Sequence, residues 1–313
     1  MKAKPFLKWA GGKTQLLSQF EQFYPHELRQ QQLHTYVEPF IGSGAVFFEI
    51  MQKFPMKTAY ISDSNLDVIL TYQVIQQRVD TLIDFLEQYQ YRYDTTPQED
   101  RKQLFLDIRK HFNLQRLEIN YKKFSENWIP RAAQLICLNK TCFNGLFRLN
   151  SKGEFNVPYG DYKHPKILDI ANLHAVSKLL QQTEIRCADY TQCADFVDDH
   201  AFVYFDPPYR PLSPTASFTT YTGDVFNDEQ QHRLANFFRH LDQEKHAKIM
   251  LSNSDPQNEQ PEDRFFEDLY TGYHVYRVSA TRMINSNGQK RGSINELVIT
   301  NYPYEPQTRA INF

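Results

Sequence analysis

Tyr36-Val37-Glu38-Pro39-Phe40-Ile41-Gly42-Ser43-Gly44 carries a β-branched and aromatic run into a glycine-bearing turn, and a helix-like apolar pattern follows it. Strand, tight turn and helix in that order make the first half of a βαβ unit. Thr58-Ala59-Tyr60-Ile61-Ser62 repeats the strand signal, so a parallel sheet is expected. Further buried-strand runs stand at Ala201-Phe202-Val203-Tyr204-Phe205 and Lys248-Ile249-Met250-Leu251. Between them Leu234, Phe237, Phe238 and Leu241 recur at helical spacing. The tail alternates through residues 274–278 and 296–300, as an antiparallel hairpin closing the sheet would. The fold class is α/β.

The chain has 313 residues, 41% of them hydrophobic and 23% charged, a composition able to bury a large core. No apolar run approaches the roughly 20 residues of a membrane span, and Met1-Lys2-Ala3-Lys4-Pro5 does not start a secretory signal. A cytoplasmic protein without membrane partners is expected. Cys137, Cys142, Cys187 and Cys193 lack metal-site or disulfide-framework spacing and read as reduced core thiols. The net charge of −2 hides local excess: residues 140–166 hold Lys140, Arg148, Lys152, Lys163 and Lys166 against Glu154 and Asp161. Lys2, Lys4, Lys8 and Lys13 at the start, and Arg277, Arg282, Lys290 and Arg291 near the end, have no acid among them. These three segments are expected to line one phosphate-binding face.

Residues of about 66–93 and 98–116 read as amphipathic helices, with Leu66, Ile69, Leu70, Leu82, Ile83 and Leu86 as core positions. Residues 139–166 are rich in Asn, Gly, Pro, basic and aromatic residues, which suits a functional loop or small hairpin. Residues 76–165 are therefore expected to be an insertion between two parts, 1–75 and 166–313, of one α/β domain.

Three motifs carry chemistry. The glycines of the 38–44 turn let a ligand approach the backbone at the carboxyl edge of the sheet, and Asp63, at the end of the next strand, is placed to accept from ribose hydroxyls. The third glycine of a dinucleotide fingerprint would fall at Phe47, so the turn is not that motif. Lys8-Trp9-Ala10-Gly11-Gly12-Lys13-Thr14 ends like a P-loop, but Leu7 stands where its first glycine belongs and no strand precedes it. An aromatic and cationic edge over a carboxylate-bearing cofactor suits it better. Asp206-Pro207-Pro208-Tyr209 directly follows a buried strand. The Asp206 carboxylate and Pro207 carbonyl can accept N–H bonds from a planar amine, drawing its lone pair out of the ring. The prolines stiffen the loop, and Tyr209 offers a face for an extruded base.

Taken in order, Lys8-Trp9-Ala10-Gly11-Gly12-Lys13, the 38–44 turn, Phe143-Asn144-Gly145-Leu146-Phe147-Arg148 and Asp206-Pro207-Pro208-Tyr209 resemble the Dam family of DNA adenine methyltransferases over nearly the whole chain. The tail from Arg291 to Tyr302 resembles its restriction-modification members. The resemblance implies a Rossmann-like S-adenosylmethionine-dependent methyltransferase sheet with an inserted, mainly helical target-recognition domain. It implies that Trp9, Ala10, Gly11, Gly12, Lys13, Glu38, Pro39, Phe40, Gly42, Ser43, Gly44, Asp63, Asp189, Tyr190 and Asp206 surround S-adenosylmethionine. It implies that Lys8, Asn144, Leu146, Arg148, Pro158, Tyr162 and Lys163 meet double-stranded DNA, with Asp206, Pro207, Pro208 and Tyr209 catalytic. Asp161 departs from the family, where arginine is frequent. Arg148 also fits on physical grounds, since a guanidinium bonds a guanine edge bidentately.

The expected activity is methylation of the N6 amine of adenine, flipped from a short duplex site, with GATC implied by the resemblance alone. Such an enzyme would be an orphan methylase or would share its site with a restriction endonuclease without a stable complex. No metal is needed, since transfer from a sulfonium requires positioning and electrostatics. Methylation of RNA or a protein amide, and a DNA-binding protein without catalysis, are the competing readings.

Overall fold

The computed structural model describes residues 2–210, 226–281 and 293–304. Seven strands form one sheet: β1 (Thr35–Glu38), β2 (Thr58–Asp63), β3 (Thr183–Cys187), β4 (Ala201–Phe205), β5 (Lys248–Ser254), β6 (His274–Thr281) and β7 (Ser293–Thr300). Their spatial order is β3-β2-β1-β4-β5-β7-β6. The first five are parallel, and β7 runs antiparallel to both β5 and β6, so the expected closing hairpin is present. The chain leaves β1 toward β2 and β3, then returns on the other side of β1 as β4. That reversal opens a crevice at the carboxyl ends of β1 and β4, where open α/β sheets bind ligands. Every residue of β4 is buried, as a strand covered on both faces requires.

The helices are α1 (Leu17–Phe20), α2 (His26–Arg29), α3 (Ala45–Lys53), α4 (Leu66–Thr95), α5 (Arg101–Gln115), α6 (Trp128–Thr141), α7 (Ile170–Leu180), α8 (Asp228–Lys245) and α9 (Phe265–Leu269). None is long and apolar enough to cross a membrane. On α8 the expected stripe of Leu234, Phe237, Phe238 and Leu241 is buried. It packs on one sheet face with Val203, Phe205 and Leu251. The Asn227 side chain caps this helix by accepting from the Gln230 N–H.

The other core cluster runs without interruption from Phe6 and Tyr72 through Leu82, Phe105 and Ile129 to Phe147 and Leu173. It therefore crosses the boundary expected near residue 76. Helical geometry in α4 breaks locally at Arg78 (φ −142°, ψ 42°), close to that boundary. The centre of this cluster is ionic. Arg131 of α6 is fully buried and donates through Nε and Nη2 to the two Asp67 oxygens (2.6 and 2.9 Å) and through Nη1 to the Phe112 carbonyl (2.8 Å). The Tyr121 hydroxyl donates to the same aspartate (3.0 Å).

Several expectations change. Helix α6 takes residues 139–141 out of the expected loop; it is buried nearly all round, so it shows no amphipathic stripe. From Cys142 onward the loop is pinned by antiparallel bridges Cys142↔Tyr159 and Leu149↔Phe155. Leu66, in the first turn of α4, is 45% exposed rather than core, and Cys187 is exposed at the end of edge strand β3.

Candidate active site and nucleic-acid interface

The 38–44 turn leaves β1 and enters α3 with Gly42 and Gly44 at positive φ (43° and 72°). A Cβ on Gly42 would stand 2.9 Å from the Trp9 indole nitrogen, and one on Gly44 2.6 Å from the Tyr72 hydroxyl. The turn is thus roofed by Trp9 and tolerates no side chain at either glycine. Asp63 ties it down by accepting from the Gly42 N–H (3.1 Å). Glu38 is buried and accepts from the Tyr36 hydroxyl (2.7 Å); burial holds its carboxyl well above the usual range. Pro39 and Ser43 are buried, and Phe40 lies 5.2 Å from Tyr190 between ring centroids. Asp189 caps the turn after β3, and Arg233 holds both its oxygens at 2.8 Å.

Trp9, Ala10, Gly11 and Gly12 form a turn closed by Gly12 N–H to Trp9 carbonyl (3.2 Å), which delivers Lys13 inward. Lys13 is only 3% exposed. Its ammonium donates to Asp206 Oδ1 (2.6 Å), the Gly11 carbonyl (3.0 Å) and the Tyr209 hydroxyl (3.2 Å). It belongs neither to an exposed basic face nor to an outward cationic edge, because the protein's own acids neutralise it. Burial alone would lower its pKa, but Asp206, Tyr209 and Glu296 outweigh that and raise it well above the ordinary lysine value.

Asp206 leaves β4 beside Ser252 of β5, whose hydroxyl donates to Oδ1 (3.2 Å) and is itself paired with the Tyr204 hydroxyl (2.6 Å). Burial raises the Asp206 carboxyl pKa, with Lys13 pulling the other way. Pro207 is buried, and the Gln231 amide donates to the Pro208 carbonyl (3.3 Å). Tyr209 is 37% exposed as a residue, while its hydroxyl points inward and donates to Glu296. Because β7 runs antiparallel, its beginning returns Glu296 to the carboxyl edge of the sheet. Motif reading missed Glu296, Ser252 and Gln231. Ser252 and Glu296 carry one local signal, a polar side chain next to a buried apolar run, and Gln231, among polar neighbours in the first turn of α8, carries none.

Lys8, one residue before Trp9, points the other way, its ammonium 4.3 Å from the centre of the Tyr162 ring. The Tyr162 hydroxyl accepts from the Asn144 N–H (3.0 Å), and the Pro158 carbonyl from the Phe143 N–H (2.8 Å). Lys8, Asn144, Pro158 and Tyr162 are therefore brought together, with half-buried Leu146 and 51% exposed Phe143 beside them. Arg148 and Lys163 are exposed, and Arg148 is held by Asn156 Oδ1 (2.7 Å). The organiser is a residue the motifs did not disclose. Buried Asn139 accepts from the Lys8 N–H (2.7 Å) and donates to both the Lys8 carbonyl (2.9 Å) and the Gly145 carbonyl (3.0 Å). Asp161, the departure from the family, accepts from the Gln98 amide (2.7 Å). Arg277 is withdrawn from the expected phosphate face by Asp255 (2.8 Å) and Glu267. Arg282, Lys290 and Arg291 lie outside the described residues.

A glycine turn and a half-buried carboxylate facing one switch-point crevice make a ligand site of the open α/β class. The chain belongs to the D12 class N6 adenine-specific DNA methyltransferase family, which matches residues 9–284. It is 48% identical over 303 residues to the type II methyltransferase M.MjaIII of Methanocaldococcus jannaschii, covering 96% of this chain and 100% of that protein. It is 38% identical to the type II methyltransferase M1.LlaDCHI of Lactococcus lactis subsp. cremoris, covering 96% of this chain and 95% of the other. It is 32% identical to the DNA adenine methylase of Escherichia coli K12, covering 95% of each.

Proposed function

We propose that this adenine methyltransferase takes its methyl group from S-adenosylmethionine and acts on a flipped adenine within a short duplex site, GATC. The observation that carries the reading is the placement of Asp206 beside exposed Tyr209, across the switch point from the glycine turn. When bound, the donor supplies a methyl group activated on a sulfonium. The residues fit such a group: the Asp63 carboxylate bonded to the Gly42 N–H and the Trp9 indole packed against Gly42 put an acid and an aromatic ring beside the 38–44 turn, as a nucleoside-bearing donor requires. Half-buried Phe40, backed by the buried Tyr190 ring, offers aromatic surface, with Asp189 next to Tyr190.

An adenine amine is a weak nucleophile because its lone pair is shared with the ring. Asp206 Oδ and the Pro207 carbonyl accept its two N–H bonds, which favours the pyramidal form that carries charge in the transition state. Extruding the base costs a few kcal/mol, and stacking on Tyr209 offsets part of that. The region 76–165 is the recognition unit in this reading, supported by the exposed side chains of the 143–163 loop. The GATC assignment draws on the likeness of Phe143-Asn144-Gly145-Leu146-Phe147-Arg148 to the Dam family.

Incubating unmethylated genomic DNA with the protein and the donor, then mapping modified bases, tests all of this. N6-methyladenine confined to GATC is expected; modification of another base, or adenine modified without sequence preference, overturns it. Arg148, proposed to read a base edge, carries a narrower prediction. Arg148→Ala is expected to reduce discrimination between the cognate site and a singly substituted one roughly 5- to 150-fold, the equivalent of about 1–3 kcal/mol. Binding to unrelated duplex should change far less, since phosphate contacts dominate it. Steady-state competition between the two duplexes reads the ratio, and an unchanged ratio removes Arg148 from recognition.

A further inference from the structure

The Lys13 ammonium has three hydrogens, and three acceptors surround it: Asp206 Oδ1, the Gly11 carbonyl and the Tyr209 hydroxyl. A second carboxylate stands just beyond them. Glu296 Oε1 accepts from the Tyr209 hydroxyl, while Oε2 is buried, without a hydrogen-bond partner, 4.0 Å from Lys13 Nζ. A buried carboxylate oxygen left in that condition is costly and calls for an occasion on which it is satisfied. Asp206 Oδ1 has the opposite problem. It already accepts from both Lys13 and Ser252, so Oδ2 is the oxygen left to receive an adenine N–H, and the ammonium draws on the charge that the two oxygens share. An oxygen whose electrons are drawn to an ammonium is a poor acceptor for a weakly acidic amine.

We propose that Glu296 is a positioning residue that takes over Lys13 when the adenine amine enters, so that Asp206 exchanges the ammonium for the amine. Before the base arrives, Lys13 opposes the upward pull that burial exerts on the pKa of Asp206. On entry Nζ needs to travel only about 1 Å to reach charge-assisted distance of Glu296 Oε2. The four-carbon stem allows this while the Gly11 and Tyr209 contacts act as a pivot. Total charge in the crevice is unchanged by the move. The inference rests on the role given to Asp206 above.

Glu296→Gln isolates the charge, because the amide oxygen still accepts from Tyr209 while the site loses its pull on Lys13. With duplex substrate, kcat is expected to fall about 100-fold, the scale of losing one oriented electrostatic contact in a transition state. KM for DNA and Kd for the methyl donor should stay within about threefold. Turnover equal to the unaltered protein overturns the proposal, as does a loss appearing only in KM or Kd, which marks a purely structural role. A crystal structure of the unaltered chain with duplex DNA and a non-reactive donor analogue decides independently of how the variant folds. Lys13 Nζ bonded to Glu296 Oε2 and released from Asp206 Oδ1 is expected; Nζ still on Oδ1 beside a docked amine overturns the exchange. Failure of the unaltered protein to methylate adenine in duplex DNA would instead defeat the functional reading, so the two failures are distinct.

Discussion

Asp206→Ala is expected to lower turnover at least about 10³-fold while leaving the chain folded and able to bind the methyl donor. The loss is large because the carboxylate provides an N–H acceptor that matters most where charge builds on the amine, and no neighbour can replace it. The Ser252 hydroxyl is a donor to the carboxylate, so it does not supply the missing acceptor. The fold should survive because removing Asp206 does not strand Lys13: Glu296 lies 4.0 Å away and the Gly11 and Tyr209 contacts remain. Single-turnover methylation with equilibrium donor binding and thermal unfolding separates these effects; near-normal turnover would end the proposed mechanism. The same residue sets a pH dependence. Burial raises its pKa, so the acceptor is lost to protonation as pH falls through a value above the ordinary aspartate range. Activity should therefore decline on the acid side earlier than for an exposed carboxylate, which a kcat–pH profile reads directly.

The largest effect on stability is expected from Arg131→Ala, at about 3–5 kcal/mol, a substantial part of the roughly 5–15 kcal/mol that holds an ordinary domain together. The substitution leaves Asp67, buried in the first turn of α4, without its bidentate partner, and it deprives the Phe112 carbonyl of a donor. It also removes a guanidinium stacked 4.0 Å from the Phe112 ring centre. Replacing both charges, as in Asp67→Leu with Arg131→Met, should recover most of the loss, because two apolar groups need no compensation. Denaturant melts of the single and double variants test this, and a single variant within about 1 kcal/mol of the parent would refute it.

What the sequence disclosed follows a physical divide. Buried parallel strands are continuous apolar runs and glycine turns have a local steric cause, so β1, β4, β5, the 38–44 turn and the 206–209 loop were legible without partners. Helix α6 was not, because a helix buried all round has no period to detect, and β3 was not, because a short edge strand alternates too few apolar residues. The roles of individual charges were least accessible. Lys13 meets Asp206 across 193 residues, Tyr209 meets Glu296 across 87, and Lys8 meets Asn139 across 131. Nothing local marks Lys13 or Arg277 as internally neutralised, so local charge alone assigns both to a basic face that they do not join.

The Asn139 clamp limits how this enzyme can be re-engineered. One buried amide fastens the Lys8 backbone to the loop containing Asn144 and Arg148, and the next residue, Trp9, roofs the glycine turn. A chimaera cut only at residues 76 and 165 would separate a transplanted loop from the arm it was matched to, and would also divide a continuous core. If the loop is the recognition element proposed above, grafting a foreign specificity needs the amino-terminal arm to travel with the loop and the donor's equivalent of Asn139.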